Sequence, residues 1–122
     1  MTRQKLLLVD DTKTNIDILI NLLKEHYDLV PALSGQKALS ILEKVEVDLI
    51  LLDIMMPEMD GYEVCEAIKS NDKTKALPVI FVTAKNDAES IAKAKEVGGI
   101  DVILKPFEAQ QLLNSLQTHL IN

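Results

Sequence analysis

Short apolar runs alternate along this chain with stretches in which apolar residues recur at helical spacing. Leu6-Leu7-Leu8-Val9 is apolar without alternation and stops at Asp10-Asp11, which predicts a buried strand. Ile16, Leu19, Ile20 and Leu23 then mark a helix over residues 14–25. A second strand over 27–32 contains Pro31, whose missing donor points to a sheet edge. Ser34 can cap a helix over 35–44 with Ala38, Leu39 and Leu42 inward. The third strand, 48–52, ends at Asp53, and a loop containing Pro57 follows. Asp60 and Glu63 have capping-box spacing and open a helix that presents Val64, Ala67 and Ile68. Residues 78–82 form a fourth strand, and a helix over 87–97 stops at Gly98-Gly99. A fifth strand over 101–104 runs into Lys105-Pro106, and a last helix over 108–120 buries Leu112, Leu113, Leu116 and Leu120.

The order is therefore strand–helix repeated five times, with strands apolar on both faces. That pattern predicts an α/β fold: a five-stranded parallel sheet covered by helices on each side. Among doubly wound folds of this size the flavodoxin-like order 2-1-3-4-5 places strand 2 at an edge, in agreement with Pro31.

Composition narrows the function. At 122 residues the chain is expected to be a single domain, residues 1–122, with an aliphatic core, since it has only two Tyr, two Phe and no Trp. One cysteine excludes an internal disulfide and fits a reducing, cytoplasmic setting. No apolar run approaches a membrane span, and the start MTRQKLLLVDD lacks a signal-peptide core. A net charge of −6 without a Lys/Arg cluster argues against nucleic acid and anionic membranes as partners. One cysteine and two histidines do not make a zinc site, and neither histidine adjoins a nucleophile turn. Chemistry has to come from carboxylates, hydroxyls, lysines and a hard metal.

Open parallel sheets bind ligands beyond the carboxyl ends of their strands, near the point where strand order reverses. Strand 1 ends in Asp10 and Asp11, strand 3 in Asp53, strand 4 in Thr83 and strand 5 in Lys105. Clustered carboxylates repel one another unless a cation sits among them. Oxygen-only ligands with room for water suit Mg²⁺ better than Ca²⁺. A metal beside Lys105 suggests an anionic ligand such as a phosphoryl group, and a carboxylate can attack phosphorus to give an acyl phosphate. Asp53, on the central strand, is the best-placed nucleophile.

At these residues the sequence resembles a response-regulator receiver domain of two-component or phosphorelay signalling. The matching segments are Leu6–Asp11 (LLLVDD), Ile50–Gly61 (ILLDIMMPEMDG), Pro78–Ala84 (PVIFVTA) and Leu104–Phe107 (LKPF). The resemblance implies a signalling domain rather than an enzyme, with Asp53 as phosphoacceptor. It implies that Asp11, Asp53 and the backbone carbonyl of Met55 bind Mg²⁺, with Asp10 acting through water. Lys105 would pair with the acceptor or its phosphoryl oxygens, and Thr83 would swing its hydroxyl onto the phosphoryl group. The Lys105–Pro106 bond would be cis. The donor would be a phosphohistidine of a sensor kinase or a histidine phosphotransfer protein docking near the first helix, and the read-out a downstream protein. Lys85 and Met55 would border the site. The domain would be a stand-alone regulator, a relay intermediate or an excised receiver.

One position departs from the family: many receivers carry Tyr or Phe three residues before the lysine, and here Val102 stands there. A phosphorylation-independent interaction module therefore stays open as an alternative. A Mg²⁺-dependent phosphatase of the haloacid-dehalogenase type is disfavoured, because such enzymes need an acid two residues after the nucleophile and this chain has Met55. Cys65 is expected to pack as a small hydrophobe, and His26 and His119 to sit on the surface near helix ends. Met55, Met56 and Met59 are expected to form a loop beside the acidic site, not a soft-metal cluster. No glycine-rich loop follows strand 1, which weakens a nucleotide-binding reading.

Overall fold

The structure, a computed structural model, describes residues 3–120. Ten elements alternate: β1 (Lys5–Val9), α1 (Lys13–Leu23), β2 (Asp28–Ala32), α2 (Gly35–Leu42), β3 (Leu49–Leu52), α3 (Gly61–Ser70), β4 (Val79–Thr83), α4 (Ala88–Glu96), β5 (Asp101–Leu104) and α5 (Ala109–His119). The strands pair in parallel in the order β2-β1-β3-β4-β5. Pro31 sits in the edge strand β2, where a missing donor is tolerated.

Successive side chains of a strand point to opposite faces, so each apolar run feeds two cores. Leu7, Val9, Ile50, Leu52, Val79 and Phe81 face α2, α3 and α4, meeting Ala38, Val64, Cys65, Ile68 and Ala94. Leu6, Leu8, Leu49, Leu51, Ile80 and Val82 face α1 and α5, meeting Ile16, Leu19, Leu23, Leu112 and Leu116. Burying one such aliphatic side chain contributes ~1.5–3 kcal/mol, so the continuous runs in β1 and β3 hold both layers at once. Leu39, Leu42, Ala67 and Leu113 were expected inward and are only half-buried, because they lie on the flanks of their helical stripes.

The caps follow the sequence. Ser34 Oγ accepts from the Lys37 N–H at 3.1 Å, and Asp60 and Glu63 close a full capping box. Asp87 caps α4 by accepting the Ser90 N–H at 3.0 Å. His119 differs from expectation: it is partly buried on α5, with Nε2 3.4 Å from Asp101 Oδ2, because β5 brings that carboxylate beneath the helix end. Met56 is buried and Met59 packs against the core, so the loop after β3 is fastened to the layer that holds α2, α3 and α4. Cys65 is likewise buried, and desolvation pushes its thiol up to about 11 despite the opposing charge of Lys69.

Gly61 ties α3 to the end of β3. Its N–H donates to the Ile54 carbonyl at 2.8 Å, and a Cβ at this position would lie 2.1 Å from the Asp53 carbonyl oxygen. Backbone is the obstacle, so no side-chain rotation relieves it. Gly61→Ala is expected to cost about 1–3 kcal/mol by overpacking, read as a lower midpoint in urea with an unchanged slope. A midpoint equal to wild type would show that α3 need not approach Asp53 so closely.

Candidate functional site

Strand register assembles the site. Val9 pairs with Leu52, which puts Asp10 beside Asp53 one step further on, and the Asp53 N–H extends the ladder to the Val9 carbonyl at 3.0 Å. Thr83 pairs with Leu104, and the Lys105 N–H reaches the Thr83 carbonyl at 2.8 Å. Each candidate residue thus stands at or just past the last rung of its strand. The Lys105–Pro106 peptide is cis.

Asp10, Asp11 and Asp53 each offer a carboxylate oxygen, all within 4.8 Å of one another. Asp10 is 2% exposed and Asp53 9%, whereas Asp11 faces solvent. The Lys105 ammonium donates to Asp10 Oδ2 at 3.0 Å and stands 3.9 Å from Asp53 Oδ2. Lys105 was expected to pair with Asp53 or its phosphoryl oxygens; it lies within ion-pair distance of Asp53 and in addition makes a shorter hydrogen bond to Asp10. Asp10 Oδ1 accepts from the Thr12 N–H at 3.0 Å and from Asn15 Nδ2 at 3.4 Å, so both its oxygens are engaged. Asn15 was absent from the sequence-based site, and its position on the first turn of α1 was the only available hint.

Asp53 Oδ1 accepts from the Ile54 N–H at 2.8 Å, which fixes the carboxylate plane. Burial raises the Asp53 pKa, and the Asp10 charge adds to the rise; Lys105 and the Ile54 N–H oppose it. Thr83 is fully buried, and its Oγ1 accepts from the Lys85 N–H at 3.1 Å. Met55 lies in the loop after β3 and is 60% exposed. Three hard oxygens converging on one point, with a single ammonium beside them, fit a divalent cation bound through carboxylates and water.

A family profile described as response regulator receiver domain matches residues 6–117. A probable cyclic di-GMP phosphodiesterase of Vibrio cholerae is 43% identical over 117 residues, covering 96% of this chain but only 26% of its own length. The chain thus spans about a quarter of that relative. Among solved structures, the Vibrio cholerae chemotaxis protein CheY4 superposes with a TM-score of 0.92 at 30% identity, covering 98% of this chain and 100% of its own. The receiver domain of the sensor histidine kinase PA1611 from Pseudomonas aeruginosa, solved with a magnesium ion in its active-site cleft, gives 0.89 at 27% identity, covering 97% and 98%. The fold, the acidic rim and the profile define a signalling domain of two-component systems. The chain belongs to the response regulator receiver family. Receiver domains bind Mg²⁺ at an acidic cluster of this kind, accept phosphoryl groups from histidine kinases and contact downstream proteins.

The carboxylate repulsion has a measurable consequence. Folding raises the Asp53 pKa, so the stability this group lends is full below the ordinary carboxylate value. It is lost as pH rises through the raised value. At neutral pH, with divalent ions chelated, Asp53→Asn is therefore expected to melt above wild type. Adding Mg²⁺ at ten times its Kd should stabilise wild type by ~1.4 kcal/mol, and Asp53→Asn or Asp11→Asn should lose most of that gain. Thermal melts that ignore Mg²⁺ in all three proteins would refute cation binding at this cluster.

Proposed function

We propose that Asp53 accepts a phosphoryl group from a phosphohistidine of a sensor kinase or a histidine phosphotransfer protein, and that the phosphorylated state alters binding to a downstream protein. One observation carries this reading: a buried carboxylate, oriented by its own Ile54 N–H, faces a lone ammonium across the end of the central strand. A carboxylate oxygen of Asp53 attacks phosphorus in line with the P–N bond. That bond breaks as the P–O bond forms, and the imidazole nitrogen leaves with a proton. The Asp53 carboxylate is the nucleophile, so the reaction draws on its ionised form.

Mg²⁺, held by Asp11, Asp53 and the Met55 carbonyl with Asp10 reached through water, would neutralise charge on the phosphoryl oxygens. Asp10 suits that outer role because Lys105, Thr12 and Asn15 already engage its oxygens. Lys105 needs only to shift from Asp10 toward Asp53 to meet a phosphoryl oxygen, while the Thr83 hydroxyl moves toward the same group. The domain assists its own phosphorylation and later hydrolysis without turning over other substrates. Met55, two residues after Asp53, supplies no acid for such turnover.

Partner docking has support beside the site. Asn15, Ile18, Leu19, Leu22, Phe107 and Ala109 line, together with Lys105, an apolar groove of about 360 Å³. Ile18, 48% exposed, gives α1 a free apolar residue, whereas Ile16 and Leu19 are committed to the core. A helix carrying the donor histidine would seat there within reach of Asp53. A cytoplasmic site of action completes the reading.

Labelling with acetyl phosphate in Mg²⁺ tests the assignment. Wild type is expected to incorporate phosphate in an acid-stable, base-labile form, and Asp53→Asn none. Lys105→Met should slow uptake on the order of 10²-fold, the usual loss when one charge-stabilising donor is removed. Equal labelling of Asp53→Asn and wild type would reject Asp53 as acceptor.

A further inference from the structure

Val102, the residue at which many receivers carry a switch aromatic, is half-buried and pairs in register with Phe81. A tyrosine nevertheless occupies that face of the sheet, and it comes from α3. The Tyr62 ring tilts against Phe81 at 6.1 Å between centroids, with the Lys93 ammonium 4.6 Å above it. Its hydroxyl, buried with the ring, donates to the Ser90 carbonyl in the first turn of α4 at 3.1 Å. That bond ties the start of α3 directly to the start of α4.

Both ends of the tie lead back to the phosphoacceptor. On one side, Tyr62 follows Gly61, whose backbone packs on the Asp53 carbonyl and bonds Ile54. The Asp60–Glu63 box fixes that turn of α3, so Tyr62 is anchored to the end of β3. On the other side, Ser90 Oγ donates to Asp87 at 2.9 Å and accepts from Lys85 Nζ at 3.2 Å. The Lys85 N–H in turn holds Thr83 Oγ1. Gly61, Tyr62, Ser90 and Lys85 therefore form a continuous chain of contacts from Asp53 to Thr83.

We infer that Tyr62 is the positioning residue that couples phosphorylation of Asp53 to α4, taking the part that an aromatic residue in β5 cannot play in this chain. The inference rests on the phosphoacceptor reading above and names its route of regulation. When Thr83 turns toward the phosphoryl group it draws the Lys85 backbone with it, and the loop from 84 to 87 shifts against α4. Tyr62 does not follow, because its helix is fastened to Asp53. The Tyr62–Ser90 hydrogen bond belongs to the phosphate-free arrangement and is given up when the loop moves. Its strength sets part of the cost of switching.

The chain holds two tyrosines, which makes the test direct. With 3-fluorotyrosine incorporated, Tyr62 and Tyr27 give two fluorine resonances, and Tyr27 lies in the opposite core as an internal control. Adding beryllium fluoride with Mg²⁺, as a phosphoryl mimic, should shift the Tyr62 signal and leave Tyr27 in place. Tyr62→Phe keeps the ring packing but removes the latch, so it should tighten beryllium fluoride binding about 2- to 10-fold. It should also speed amide exchange at residues 90–93 in the free protein. Lys93→Met, which keeps the hydroxyl, should leave that affinity within about twofold of wild type. If wild type binds the mimic but the Tyr62 signal stays still, or Tyr62→Phe binds with unchanged affinity, the coupling role is overturned while the phosphoacceptor reading stands. If wild type shows no response to the mimic anywhere around Asp53 and Thr83, both fail together.

Discussion

A single ammonium stands among three carboxylates at the end of the sheet, and the rest of the site is arranged around that imbalance. Lys105 is shared between Asp10 and Asp53 but bonded closely only to Asp10. Asp53 is left buried and less fully compensated, with its pKa raised by that burial, which suits the nucleophilic role proposed for it. If Lys105 bonded Asp53 as tightly as it bonds Asp10, the proposed acceptor carboxylate would be less free to attack phosphorus. Without Lys105, burial of two acids would drive one of them to bind a proton. Register sets the balance, since Val9↔Leu52 and Thr83↔Leu104 decide how near each group stands to the others.

The two-layer core makes that register stiff. β1 and β3 are buried on both faces, so a slip of one residue would exchange the side chains meeting α1 and α5 for those meeting α2 and α3. The loops past the strand ends are free of that constraint. The segment after β4 is joined to its surroundings by a few polar bonds, from Lys85 to Thr83 and from Ser90 to Lys85, Asp87 and Tyr62. A stiff sheet holding the acidic rim, next to a loop held by exchangeable hydrogen bonds, is a division that suits the proposed switch.

Much of this was legible in the residues. Apolar runs without alternation, such as Leu6–Val9, could only be strands covered twice, and Pro31 fixed which strand lay outermost. The five polar residues of the rim were legible because each ends a strand, a position set by sequence alone. What escaped depended on distances across elements. Nothing in the order of residues says that Lys105 bonds Asp10 before Asp53, or that Asn15 reaches back to Asp10. Tyr62 carried no assigned role in the residue pattern, and His119 was expected at the surface. Their partners, Ser90 and Asp101, lie 28 and 18 positions away, and only the packed layers bring them together.

Pro31 has a second meaning that concerns encounters between molecules. An open sheet exposes backbone groups at its two margins, and those margins can recruit a strand from another chain. Here one margin is β2, interrupted by a residue that cannot donate, and the other is β5, only four residues long. Neither offers a continuous template for strand addition. The domain is thereby guarded against association through its sheet.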